Sequence, residues 1–275
     1  MRRALALAFG IALVAGGAVA QVPPGAPIEA RHMVGHRAAY RLELDRARAN
    51  SDITQATGAM LFEVLDACDG WTVRQRLTLK LVDRGGNETE TVSDYSTYET
   101  RDGTRLRFSL TQSSQGAVSS QVRGEAEVTA AGGTVRFQEP QAREISLPTG
   151  TLLPMAHTIA TLNAARAGSR ILAVPLLDGT TASGPQDTTT VMSPWQAAAM
   201  TDPRFAALVP LGSSRMRIAF FDRDQTTQNG GAGTPDYEVS LRYYENGVAD
   251  ELKMDFGEFV VDGRMVEFAV LPSPC

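Results

Sequence analysis

The sequence predicts a mainly β protein: an antiparallel meander of about a dozen strands with one or two helices. Three observations carry this. Apolar residues recur at every second position in run after run. Gly-containing turn dipeptides separate those runs. One stretch keeps a clear helical spacing instead. The chain has 275 residues, 43% hydrophobic and 21% charged, enough for a sizeable core in one large β domain or two small ones.

The first twenty residues, MRRALALAFGIALVAGGAVA, place Arg2 and Arg3 before an apolar and glycine run and end on the small residues Ala18, Val19 and Ala20. This is the make-up of a secretory signal peptide cleaved after Ala20. The run is too short to span a bilayer comfortably, and no later stretch approaches the roughly 20 apolar residues of a transmembrane helix. Gln21 stands where a lipid-anchored chain needs cysteine, so the mature protein is expected to be exported, soluble and without a lipid anchor. Gln21 to Glu29, QVPPGAPIE, reads as an extended, mobile proline-rich leader before the folded chain of residues 30–275.

The period-two runs follow in order. Tyr40, Leu42 and Leu44 alternate with Arg41, Glu43 and Asp45; Met60, Phe62 and Val64 keep the rhythm, as do Val73, Leu77, Leu79 and Leu81. Next come Leu106, Phe108 and Leu110, then Val118, Val122, Ala126 and Val128, then Val135 and Phe137. The rhythm returns at Met216, Ile218 and Phe220, at Tyr237, Val239, Leu241 and Tyr243, at Leu252, Met254 and Phe256, and at Val266, Phe268 and Val270. These are half-buried strands, and RDG, AGG, ENG and VDG between them supply the positive φ angles of tight turns.

The helical stretch is LPTGTLLPMAHTIATLNAARAG. Met155, Ile159 and Leu162 share one face, Pro154 suits the first turn and Gly168 the stop, giving a helix over Leu153 to Arg166. A single helix in a β protein plugs or covers the apolar face of the sheet, so these three residues either line a cavity or fill a dry core. A weaker helical reading covers SPWQAAAMTDPRFAAL, with Ser193 as cap and Pro194 leading, and a loop is the alternative. TTASGPQDTTT and QTTQNGGAGTPD have the composition of loops.

Charge excludes some functions. Loss of Arg2 and Arg3 takes the formal charge from −5 to −7, and the remaining basic residues are scattered, which argues against nucleic acid or an anionic membrane surface as partner. Chemistry is equally sparse. The three histidines are His32, His36 and His157, and no serine sits in a Gly-x-Ser-x-Gly elbow. His32 and His36 have a helical metal-ligand spacing, yet Gly35 and the following strand disfavour a helix and no Glu follows His32. His36 is expected to hydrogen-bond the backbone at the start of a strand, and His32 to be solvated. Asp222 and Asp224 lack the glycine and glutamate of an EF-hand loop, and GGAG at Gly230 to Gly233 lacks the Lys-Ser/Thr of a phosphate loop. Trp71, Tyr95, Tyr98, Tyr243 and Tyr244 are expected in core or rim. No catalytic residue, metal site or cofactor is assigned.

Cys68 and Cys275 are the two cysteines, and export places them where thiols pair. An intramolecular disulfide closing a loop of roughly two hundred residues would stabilise by about 5 kcal/mol on chain entropy alone. A free, buried Cys68 and an intermolecular bridge through the tail are the alternatives.

GHRAAYRLEL (35–44), CDGWTVRQRL (68–77), LPTGTLLPMAHT (147–158), YEVSLRYYENGVADEL (237–252) and the terminal LPSPC together resemble the EipB-like cell envelope integrity proteins of Gram-negative bacteria. The segments span nearly all of the mature chain. The resemblance implies a periplasmic, single-domain β-spiral or open barrel with helical elements inside or across it, similar to periplasmic lipoprotein carriers. It also implies a Cys68–Cys275 disulfide and a role in envelope maintenance. The polar stretch from Gly179 to Thr190 departs from the pattern and leaves strand pairing there open. Three functions follow as expectations. The first is a non-enzymatic binding or scaffolding protein, with Met155, Ile159 and Leu162 at a cavity for a lipid or lipoprotein acyl chain. The second is a hydrolase of envelope lipid or glycan using His157 or His36. The third is an interaction partner of a periplasmic or outer-membrane protein.

Overall fold

Strand pairing is local almost everywhere: each strand hydrogen-bonds, antiparallel, to its neighbours in sequence. The computed structural model describes residues 25–198, 205–223 and 233–275, and the leader read over residues 1–20 lies outside them. Among the described residues fourteen strands form one sheet, two more than the dozen expected. One meander runs through β1 (His36–Ala47), β2 (Ile53–Asp66), β3 (Gly70–Asp83), β4 (Glu88–Thr100), β5 (Arg105–Ser114), β6 (Ala117–Thr129), β7 (Gly132–Glu139) and β8 (Arg143–Leu147). The other runs through β9 (Ile171–Leu176), β10 (Gln186–Met192), β11 (Ser213–Asp222), β12 (Tyr237–Tyr244), β13 (Ala249–Asp255) and β14 (Phe259–Val270). The first and last strands, β1 and β14, pair antiparallel and fuse the two meanders, which leaves β8 and β9 as the edges.

The sheet curls towards closure without completing it. The chain passes from one edge to the other through residues 148–170, and on the way Leu152 forms a parallel bridge with Leu176 of β9. The loop after β9 then lies against the first meander. The Tyr95 hydroxyl donates to the Asp178 carbonyl, and Gly179 (φ +75°) sits where an added Cβ would meet the Phe108 ring at 2.3 Å. Tight coiling also dictates Gly58, whose Cβ would lie 2.0 Å from the Thr78 carbonyl oxygen. The outer face carries cross-strand ion pairs such as Arg37–Glu63, Arg76–Asp94 and Arg136–Glu144, exposed pairs of small individual value that suit a solvated face.

The helix α1 (Pro154–Arg166) matches the predicted stretch and lies inside the curve of the sheet, since none of its residues is exposed. It starts at Pro154 because that residue has no N–H to satisfy. The next two backbone N–H groups, of Met155 and Ala156, donate to the carboxylate of Glu99 on β4 at 2.7 and 2.9 Å, so the cap comes from a distant strand. The helix ends in a Schellman motif: Gly168 (φ +85°) donates to Ala165 and Ser169 to Ala164.

Several expectations need correction. The leader was expected to be mobile through Glu29, yet Ile28 is buried, and its backbone N–H and C=O both pair with the Asn163 side chain of α1. Val118 and Val266, assigned to inward faces, are 60% and 44% exposed. Both lie at β-bulges, between Gln112 and Ser113 on the partner of one and between Ala39 and Tyr40 on the partner of the other, and an extra residue in a strand turns its neighbours to the opposite face. Val270, at the end of β14, is also exposed. The polar stretch 180–190 is loop only to its middle: from Gln186 it is strand β10, paired on both sides, with Thr188 and Thr190 buried. The weaker helix over residues 193–208 is absent from the described part, where Gln196 bridges Ser213 and residues 206–210 form turns; residues 199–204 lie outside it.

Two apolar clusters fill the interior. The larger joins α1 to β1–β3 and β10–β14 and includes Trp71, Tyr40, Leu162 and Met265; the smaller lies under β5–β8 with Leu153 and Leu177. Cys68 and Cys275 are joined, S–S 2.04 Å and Cα–Cα 5.6 Å, which fastens the tail to the β2–β3 turn, where Ser273 also donates to Asp66 at 3.0 Å.

Candidate functional site

Between the first turns of α1 and the inner faces of both meanders the core is not filled. A cavity of about 520 Å³ remains. The first meander contributes Met60, Phe62 and Leu77, the second Tyr237, Val239 and Met254, each at an inward position of the period-two pattern. Large side chains hold the wall by ring contacts across strands, with Tyr237 5.7 Å from Phe220 and 5.4 Å from Phe256.

The residues singled out from the helical face separate here. Met155 is on the cavity wall. Ile159 and Leu162 pack into the surrounding core, Leu162 with no exposure, because the cavity follows only the start of the helix and Leu162 lies roughly 10 Å further along its axis. His36 and His157, which composition alone did not connect, both reach this wall together with Pro154 and Thr158. His32 is partly exposed and accepts from the Glu29 N–H at 2.9 Å, apart from the cavity. Among the ring residues, Tyr95 and Tyr243 line the cavity, while Trp71 is core under the Arg101 guanidinium at 4.7 Å.

Polar side chains are interspersed on the wall, and several are committed to the backbone. The Tyr40 hydroxyl donates to the Ala249 carbonyl at 2.6 Å. The His36 Nδ1 pairs with the Val34 carbonyl at 2.9 Å between the rings of Phe62 and Phe268, and burial lowers its pKa, so the ring is neutral. Burial brings His157 down to about 4; its Nε2 lies 3.4 Å from the Thr188 hydroxyl, which itself donates to the Val174 carbonyl at 2.7 Å. Just beyond the wall, burial raises Glu99 to about 7 against the two helix N–H groups it accepts. Among the described residues the lining has no lysine or arginine, and Asp178 brings the single carboxylate there. Gln112 and Thr180 at one margin reach solvent, whereas His36 and Asn246 are buried.

Glu99 and Asn246 had drawn no attention in the sequence. Glu99 did leave a signal: it follows Tyr95 and Thr97 at alternate positions, so its parity places a carboxylate indoors. Asn246 was legible only as a turn residue of ENG. Among the described residues no group of three or more His, Cys, Asp or Glu could hold a metal ion, and no helix is long and apolar enough to cross a membrane. Of the two acids considered for calcium, Asp222 ends β11 with its N–H donated to Asp236, and Asp224 lies outside the described residues.

An incompletely closed antiparallel barrel, with a buried helix and an apolar chamber, defines the class of this protein. The EipB-like family model matches residues 27–272, and the chain belongs to that family. It is 28% identical over 242 residues to the cell envelope integrity protein EipB of Brucella abortus (strain 2308), covering 86% of this chain and 84% of the relative. It also superimposes, with a TM-score of 0.78 and 28% identity, on the crystal structure of a β-barrel-like protein of unknown function from Brucella abortus, over 87% of this chain and 99% of the other.

Proposed function

We propose that this is a periplasmic, non-enzymatic binding protein that serves cell envelope integrity by holding an apolar chain, of a lipid or a lipoprotein, inside its curled sheet. The observation that carries the reading is the cavity: about 520 Å³, with a mostly apolar surface of aliphatic and aromatic side chains and polar groups interspersed among them. Sites for small ligands have this size and character. The relative's name supports the envelope role. The signal-like residues 1–20 and the pairing of both cysteines support an exported, oxidising location.

A second reading, an envelope hydrolase, draws on His157 facing Thr188. The observed hydrogen bonds speak against it: the Thr188 proton is given to the Val174 carbonyl rather than to the imidazole. Native mass spectrometry of the protein purified from periplasm tests the binding role. Co-purified lipid is the expected result. A bare protein mass, with no uptake from lipid vesicles, refutes it. Replacing His36 and His157 together by alanine tests the hydrolase: envelope function that survives in cells rules out acid–base chemistry by either.

A further inference from the structure

We propose that the cavity selects an apolar chain bearing an uncharged hydroxyl, which His36 and Asn246 bind together; this rests on the cavity being a binding site. Both residues line the cavity and both are only 2% exposed. His36 Nε2 and Asn246 Nδ2 have no hydrogen-bond partner among the described residues. A polar atom buried in that state costs about 1–3 kcal/mol, so an unpaired pair on one apolar wall calls for a reason.

The roles of the two atoms are fixed by what each residue already does. The Val34 carbonyl can only accept, so His36 carries its proton on Nδ1, and Nε2 is left with an unused lone pair. The Val248 N–H can only donate, so the atom it meets on Asn246 at 3.2 Å is the carbonyl oxygen, and the amide NH2 is left to donate. The two residues are tied to the same short segment: Val34 N–H donates to the Asn246 backbone carbonyl at 3.1 Å, and Val34 C=O accepts from His36 Nδ1 at 2.9 Å. One unused acceptor and one unused donor thus belong to cavity-lining residues tied to the same segment.

A hydroxyl answers both, giving its proton to Nε2 and a lone pair to the NH2 group. An ether or ester oxygen answers only Asn246. A carboxylate or phosphate would enter a mostly apolar chamber whose described residues offer no lysine or arginine and bring Asp178 as the one carboxylate, an uncompensated burial.

Uptake of the uncharged dye N-phenylnaphthylamine by the mature chain, and its displacement by dodecanol or by dodecyl methyl ether, reads this directly. The alcohol is expected to displace the dye at about one tenth the concentration of the ether, the ratio that one well-made hydrogen bond provides. That preference should vanish in His36→Phe, which keeps a ring between Phe62 and Phe268 but has no Nε2. Equal displacement by alcohol and ether in the unmodified protein overturns the hydroxyl site while leaving the apolar-chain reading intact. A preference that persists in folded His36→Phe overturns it as well. If neither dye nor alcohol nor ether is taken up, the binding role itself fails. Because the unmodified protein decides the ratio, a variant that does not fold removes nothing from the test.

Discussion

Replacing Glu99 by glutamine probes how the helix is held inside the sheet. Glu99 is 3% exposed, and burial raises its pKa from 4.5 to about 7 although its carboxylate caps Met155 and Ala156. In the unfolded chain the group ionises near its ordinary value, so its contribution to stability is fully present below about pH 4.5 and is lost as pH rises through about 7. The difference between the two values corresponds to about 3 kcal/mol between about pH 4 and about pH 8. Glutamine carries no charge at any pH, so this dependence should disappear from Glu99→Gln. Urea or thermal unfolding of both proteins across that range measures it. The stability of the variant relative to the parent should swing upward by about 3 kcal/mol, or roughly 6 to 12 °C in melting temperature for a domain of this size. The buried histidines act in the opposite direction in acid but are common to both proteins and cancel. Parallel pH profiles for the two would refute the reasoning and mean that the helix N-terminus, rather than desolvation, governs Glu99.

His157 provides the complementary test. With its pKa lowered to about 4, its contribution is present above about pH 6.5 and lost as pH falls through 4, so His157→Leu should flatten the acid limb of the unfolding curve by up to about 3 kcal/mol. Cys275→Ser should lower the melting temperature of the oxidised protein, with about 5 kcal/mol as the ceiling from chain entropy for a separation of 207 residues; equal melting under oxidising and reducing conditions would exclude a stabilising clasp. Asn163→Ala removes both hydrogen bonds to Ile28 and should cost about 1–3 kcal/mol; limited proteolysis should then cut the segment before Met33 more rapidly than in the parent.

The strands that were legible in the sequence are those whose inward positions are aliphatic, such as Leu106, Phe108 and Leu110 on β5. β4 and β10 were harder to see. Their inward positions are Tyr95, Thr97 and Glu99 in one and Thr188 and Thr190 in the other, so the buried face reads as polar and the period-two contrast fades. Bulges hid the true face of Val118 and Val266, since one extra residue reverses a parity that the sequence shows as continuous. The site was legible only in pieces: Met155 could be placed at a helix start, and His36 on the backbone at a strand start, but nothing local said that they share a wall.

By itself the sequence determined the β meander, the turns, the helix from Pro154 to its glycine stop and the likeness to the EipB-like proteins. These depend on periodicity, on fixed φ preferences and on residue order, all of which are local. The tertiary structure alone decided that the helix is enclosed and that Glu99 caps it from β4. It likewise decided that Asn163 holds Ile28, and that His36 and Asn246 line one cavity although 210 positions separate them. Each of these arises because a fourteen-stranded sheet curls until its two halves face each other across the helix, and that curvature sums small twists over every strand rather than residing in any one of them.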